Sequence, residues 1–156
     1  MTFSMLGDWA DFDQLISTVV NQFSGKLCQT IISDTPGLYA VGTLEASPSY
    51  DPKNGKGTLV LSCEDGDAYL YHLIETDVSI TGDDTVTLEN DYMPVVPTIT
   101  VTEENTLRWT VDGESIHKTI SAGTWELPEL ELRYGENTIS ITSFGTTTFR
   151  YREERI

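Results

Sequence analysis

Residues 131–156, ELRYGENTISITSFGTTTFRYREERI, close the chain with two alternating runs on either side of Phe144-Gly145. Gly135 makes a turn, Asn137 hydrogen-bonds within it, and Ile139 and Ile141 then point to one face of a strand. After Gly145 the alternation resumes, with Phe149 and Tyr151 on one face and Arg150 and Arg152 on the other. A strand whose aromatic face is buried leaves its arginine face presenting forked donors to carboxylates. Arg150, Arg152 and Arg155 are therefore expected to bind an acidic surface, on this chain or on a neighbouring subunit. The alternative is that they merely offset local acids such as Glu153 and Glu154.

The same texture extends back to about Asp65. AYLYHLI, TVTLEN, TITVT, TLRWTVD, ESIHKTIS, ELPELEL, TISITS and TTTFRYR read as short strands separated by turn residues. Asp112-Gly113 in TVDGES fits a tight hairpin turn of positive φ, and Pro94 and Pro97 stiffen the approach to one strand. So many short, half-apolar strands predict an antiparallel β-sandwich or jelly roll over residues 67–156.

Residues 1–66 read differently. Phe12, Leu15, Ile16, Val19, Val20 and Phe23 form the stripe of an amphipathic helix spanning roughly 9–24, with Asp8 or Asp11 at its start and Gly25 at its stop. The period then switches to two in LCQTIIS, LYAVGTLEA and KGTLVLSCE. A helix with a small antiparallel sheet makes an α+β unit, and three strands supply only part of the layer the helix needs. The fold class expected is thus mainly β: a partial α+β unit followed by a sandwich.

Composition narrows the function. The 156 residues carry 25 acidic against 9 basic side chains, a net charge of −16, which repels nucleic-acid phosphates and anionic lipid headgroups and gives a well-solvated surface. No run is long and apolar enough to span a bilayer, and MTFSMLGDWADFDQL lacks the basic start and apolar centre of a secretory signal, so a chain made and assembled in the cytoplasm is expected. Cys28 and Cys63 fit neither a disulfide framework nor a zinc cluster and read as buried thiols, able to face each other across neighbouring strands.

Catalytic patterns are missing. His72 and His117 stand in no ligand spacing, and neither a nucleophile elbow nor a phosphate-cradling glycine loop occurs. Asp83, Asp84, Glu89, Asn90 and Asp91 could gather calcium, but without an ordered loop motif they read as turn residues. No cofactor and no metal is called for. Trp109, Trp125 and Tyr134, with Tyr92 and Tyr151, either fill the space between two sheets or stack on sugar rings. The second reading would make the chain a carbohydrate-binding module for a bacterial surface glycan.

In the closing motif, Leu132-x-x-Gly135-x-Asn137-x-Ile139-x-Ile141 is a general jelly-roll device, and the second half, Gly145 feeding the alternating TTTFRYRE strand, resembles the end of the distal tail proteins of long-tailed bacteriophages. NDYMPVVPTITV resembles that family's approach to its C-terminal sandwich, SAGTWELPELELRYGEN its approach to the last hairpin, and FSGKLCQTIISDTPGLYAVGTLE the helix-to-hairpin section of its ring-forming domain. The resemblance implies a non-enzymatic structural protein of a phage or prophage tail tip, assembled in the bacterial cytoplasm. Its copies would close into a hexameric ring between tail tube and adhesion device, with a galectin-like or carbohydrate-module-like outer domain. The family normally has strands before the helix, whereas this chain starts almost at the helix, so a chain lacking the N-terminal part is expected.

Overall fold

The computed structural model describes residues 2–31 and 33–156. The chain folds into two units, one ending at Leu70 and the other running Tyr71–Ile156.

In the first unit, β1 (Thr2–Leu6) precedes α1 (Trp9–Phe23), so a strand stands where the sequence reading placed none. The Asp8 carboxylate accepts a hydrogen bond from the Asp11 N–H at 3.0 Å and so caps the helix. At the other end Gly25 N–H donates to Leu44 O at 2.8 Å, turning the chain directly into the sheet. There β2 (Lys26–Ile31), β3 (Leu38–Asp51) and β4 (Lys56–Glu64) follow. The first part of β3 pairs with β2 and its later part with β4, while β1 adds to the far side of β4, all antiparallel. Position Ile32 of the strand expected over 27–33 lies outside the described residues.

Phe12 fixes the helix on this sheet. A Cβ at Gly57 would lie 2.2 Å from the Phe12 ring, so the aromatic rests on bare backbone where any larger residue would collide. Tyr50 stacks on Phe12 with ring centroids 5.5 Å apart, Trp9 meets Tyr50 edge-on at 5.3 Å, and the Tyr50 hydroxyl donates to Gly7 O at 3.1 Å. Burying Phe12 contributes about 1.5–3 kcal/mol.

The rest of the expected helical stripe is less covered. Ile16, Val19 and Val20 are half-buried, and Leu15 and Phe23 are exposed. The cysteines also differ from expectation: β3 separates β2 from β4, so Cys28 and Cys63 are two strands apart, both free, the first half-buried and the second exposed.

The second unit begins with the short β5 (Leu70–His72) at the junction and continues through β6 (Thr76–Thr81), β7 (Asp84–Asn90), β8 (Thr98–Val101), β9 (Asn105–Val111), β10 (Glu114–Ile120), β11 (Gly123–Glu126), β12 (Gly135–Ser143), β13 (Thr146–Tyr151) and β14 (Glu154–Arg155). Two four-stranded antiparallel sheets form, in the orders β10-β9-β12-β7 and β11-β8-β13-β6. Each strand of one order is joined by a two- or three-residue link to the strand at the same place in the other: β6 to β7, β8 to β9, β10 to β11 and β12 to β13. Links so short require the joined strands to face each other. The unit is therefore four arches laid side by side, a jelly-roll sandwich.

Alternation fills the space between the layers with Val86, Leu88, Ile99, Val101, Leu107, Trp109, Ile139, Ile141, Phe149 and Tyr151. The hairpin at Asp112 (φ 53°) and Gly113 (φ 85°) has both central residues at positive φ, as a type I′ turn requires.

Two strand expectations fail. Of the run 126–132 only Glu126 is in a strand and the rest is a loop: Pro128 withholds a ladder donor, Leu130 N–H closes a turn on Leu127 O at 2.8 Å, and Leu127, Leu130 and Leu132 drop into the core at a spacing no strand gives. The strand lies just before it, at β11. Likewise the run 68–74 is a strand only over β5, and the regular alternation sits in β6, where Val78 and Ile80 pack against the core.

Candidate functional site

The arginines at the end of β13 lie against carboxylates and carbonyls of their own unit. Arg150 pairs across the ladder with Asp77 of β6, its Nη2 donating to Asp77 Oδ2 at 2.7 Å and its Nε at 3.2 Å. Glu75 stands between the two arginines, 3.6 Å from Arg150 Nε and 3.8 Å from Arg152 Nη2. The Asp77 hydrogen bond, reinforced by its charge, holds the Arg150 guanidinium above its usual pKa. Arg152 Nη1 donates to the carbonyls of His72 at 2.5 Å and Leu73 at 2.8 Å, tying the end of β13 to the stretch that opens the unit. Arg155, on β14, is exposed.

The aromatics expected as a sugar platform stand apart. Trp109 lies on β9 and is buried, its indole N–H donating to Glu129 O at 3.1 Å. Trp125 lies on β11, in the opposite sheet, with its N–H on Ser121 O at 2.9 Å. Tyr134 precedes β12 in a loop and is 77% exposed. Tyr151 is buried, and its hydroxyl donates to Glu89 O at 2.5 Å; burial first, then the charge of Glu153, raises its pKa above the usual 10.0.

A groove of about 400 Å³ crosses the outer face of β9 and β12, with Arg108, Thr110, Thr138 and Ser140 along its floor. Its wall is Arg133, which grips Asp112 with Nη1 and Nη2 at 2.6 and 3.2 Å and so holds the Asp112 carboxyl below its usual pKa. No freely exposed aromatic ring lines it.

The remaining polar candidates serve the fold. Asp83 accepts from Ser143 N–H at 2.8 Å and Asp84 from Thr85 N–H at 2.7 Å, at one end of β7. At its other end buried Asn90 donates to Met93 O at 2.7 Å and to Leu132 O at 2.9 Å. The calcium alternative thus divides between the two ends of a strand. Among the described residues no group of three or more His, Cys, Asp or Glu is placed to hold a metal ion. His72 is half-buried, its ring centroid 4.7 Å from that of Tyr92 and its Nδ1 4.0 Å from Glu153; His117 is exposed on β10, across from Arg108.

Sequence reasoning passed over two features. Phe144, in the link between β12 and β13, has its whole side chain in solvent. In the first unit Leu6, Leu27 and Ile31 are 80%, 74% and 58% exposed, and strand alternation puts all three on the sheet face turned away from Phe12 and Gly57. An apolar residue in a turn between alternating strands, and Leu27 and Ile31 sharing one face of a short strand, were the available signals.

No protein-family model and no curated protein matches the chain. Among solved structures it superposes on the Dit protein of phage SPP1 with a TM-score of 0.64 at 16% identity, covering 99% of this chain and 77% of that one. The fold is that of SPP1 Dit. That protein is described as a paradigm of the hub adsorption apparatus in phages infecting Gram-positive bacteria, and its likeness takes in both units. A de novo designed double-stranded β-helix matches at 11% identity over 53% of this chain and 99% of its own, with a TM-score of 0.32. The Streptomyces albus enzyme HEPD, with 2-hydroxyethylphosphonate and Fe(II) bound, matches at 15% over 94% of this chain and 32% of its own, with a TM-score of 0.36. Neither of these two superposes closely enough to bear on function.

Proposed function

We propose that the chain is a non-enzymatic structural component of a phage or prophage tail tip, working by packing against copies of itself and against other tail proteins in the virion. The observation that carries this reading is the likeness in fold to SPP1 Dit over 99% of the chain, helix-bearing unit and sandwich alike.

The first unit supports a packing role. It leaves Leu15 and Phe23 of the helix, and Leu6, Leu27 and Ile31 of the sheet, in solvent. Apolar faces of this kind mark surfaces that neighbouring subunits cover. A closed ring buries them without leaving a free end, and six copies is the number the family resemblance favours. A sugar-binding role has weaker support, because Trp109 is spent on the core and Trp125 and Tyr134 share no face with it.

Sedimentation velocity of the purified chain over a wide concentration range tests the reading. Self-association is expected, and the double change Leu27→Asp and Ile31→Asp should reduce it to monomer while leaving the circular dichroism unchanged. A chain that stays monomeric at high micromolar concentration, or that binds a glycan array through Tyr134 or Trp125, would contradict it.

A further inference from the structure

At one end of the sandwich the arches β6–β7, β8–β9 and β12–β13 come together, and Phe144 stands at their apex with its side chain entirely exposed, 102% of the reference area. Most exposed apolar residues are on mobile or partly covered ground. Here the ground is stapled. Gly82 N–H donates to Gly145 O at 2.9 Å, Ser143 N–H to Asp83 Oδ1 at 2.8 Å, the Ser143 hydroxyl to Glu104 O at 3.3 Å, and Thr146 N–H to the Thr102 hydroxyl at 2.8 Å. Gly145 packs so tightly that a Cβ there would lie 2.5 Å from the Thr102 hydroxyl and 2.8 Å from Glu103. Beneath the three arches Asn105 and Thr147, both buried, bond to each other through their side chains.

Around Phe144 the surface is acidic. A depression of about 240 Å³ beside it is lined by Asp83, Glu103 and Glu104, with Thr106, Thr142 and Ser143 between them and no basic side chain. Asp84 adds a fourth exposed carboxylate to the same arch.

A rigid aromatic at the centre with a charged rim has the anatomy of a binding hot spot, since little ordering is required on association and the ring supplies a large desolvated contact. The rim selects the partner. A second copy presenting this same tip brings the same carboxylates and is repelled. A sugar would find a single ring and no platform. A cation would find carboxylates held on separate arches, one of them already engaged by Ser143 N–H.

We infer that this end of the sandwich is a docking tip for another protein, one whose surface offers a shallow apolar recess for Phe144 ringed by lysine or arginine. The inference rests on the geometry of the tip and not on self-association through the first unit, so the two fail separately.

The test uses a random peptide display library selected against the full-length chain. Enriched peptides should carry Lys or Arg on both sides of an apolar residue. Their affinity should fall about 30-fold in Phe144→Ser, the scale of a hot-spot loss. It should fall several-fold in the double variant Glu103→Gln and Glu104→Gln, and decline with rising salt. Because Phe144 packs against nothing, Phe144→Ser should melt at the wild-type temperature. The inference is overturned if no peptide is enriched, if enriched peptides lack basic residues, or if their binding is indifferent to Phe144→Ser. It is equally overturned if Phe144→Ser abolishes self-association of the chain, which would make the occupant a second copy.

Discussion

Replacing Arg152 and Arg150 separately by glutamine separates a clamp from a surface pair. Arg152 satisfies two carbonyl oxygens, those of His72 and Leu73, with one charged nitrogen. Charge-assisted bonds of this kind contribute about 1.5–3 kcal/mol when shielded. The Arg152 side chain is 28% exposed, and solvent takes back part of that, leaving about 1.5 kcal/mol. Arg150 and Asp77 are 54% and 45% exposed, so solvent screening leaves their pair contributing much less.

In a unit of this size, Arg152→Gln should therefore lower the melting temperature by roughly 6–12 °C and Arg150→Gln by much less. Thermal unfolding followed by tryptophan fluorescence reads the difference, because Trp109 and Trp125 both belong to this unit. Salt provides a second axis: at 1 M, where screening acts over about 3 Å, the Arg150 effect should vanish, whereas most of the Arg152 effect should persist, because its two carbonyl partners are neutral and only its longer Glu75 pair is screened. Equal losses for the two variants, or an Arg152 effect that salt abolishes, would refute the clamp.

Other consequences follow from single contacts. Asn90→Asp removes both donors from the buried carbonyls of Met93 and Leu132 and should cost about 2–4 kcal/mol in urea unfolding, whereas Asn137→Asp, at a half-exposed site, should cost less. Gly57→Ala should cost about 1–3 kcal/mol by driving a methyl into the Phe12 ring, and much less in a Phe12→Leu background; additive costs in that double-mutant cycle would remove Phe12 from the account. Tyr151 has its folded pKa raised, so the stability it lends is complete below its unfolded value of 10.0 and is lost as pH rises through the folded one. Alkaline titration of stability above pH 10.0 should accordingly be flatter in Tyr151→Phe than in wild type.

The sandwich was legible where each strand made one local choice. Ile139 and Ile141, Phe149 and Tyr151, and the Asp112-Gly113 turn all declare themselves by period two and turn chemistry, and all stand where that pattern puts them. The run 126–132 misled because three leucines and three glutamates resemble alternation while Pro128 breaks the ladder; only the finished core explains why Leu127, Leu130 and Leu132 point inward. The helical stripe was correct as a pattern, yet burial depends on the partner layer, and that layer covers Phe12 far better than Leu15 or Phe23. The arginines illustrate the same limit. Alternation gives the face they share, but Glu75, Asp77 and the carbonyls of His72 and Leu73 are 73 to 80 residues away in sequence, and only the fold brings them together. Phe144 was passed over because a sequence pattern records that a turn residue is apolar without recording that three arches hold it in place.

The claim on which the functional reading turns is location in a virion. Immunogold electron microscopy of phage particles from the host, using antibody raised against this chain, measures it directly. The account predicts label at the distal end of the tail. Label on the capsid or along the whole tail, or particles free of label while the chain is abundant in the lysate, would contradict it.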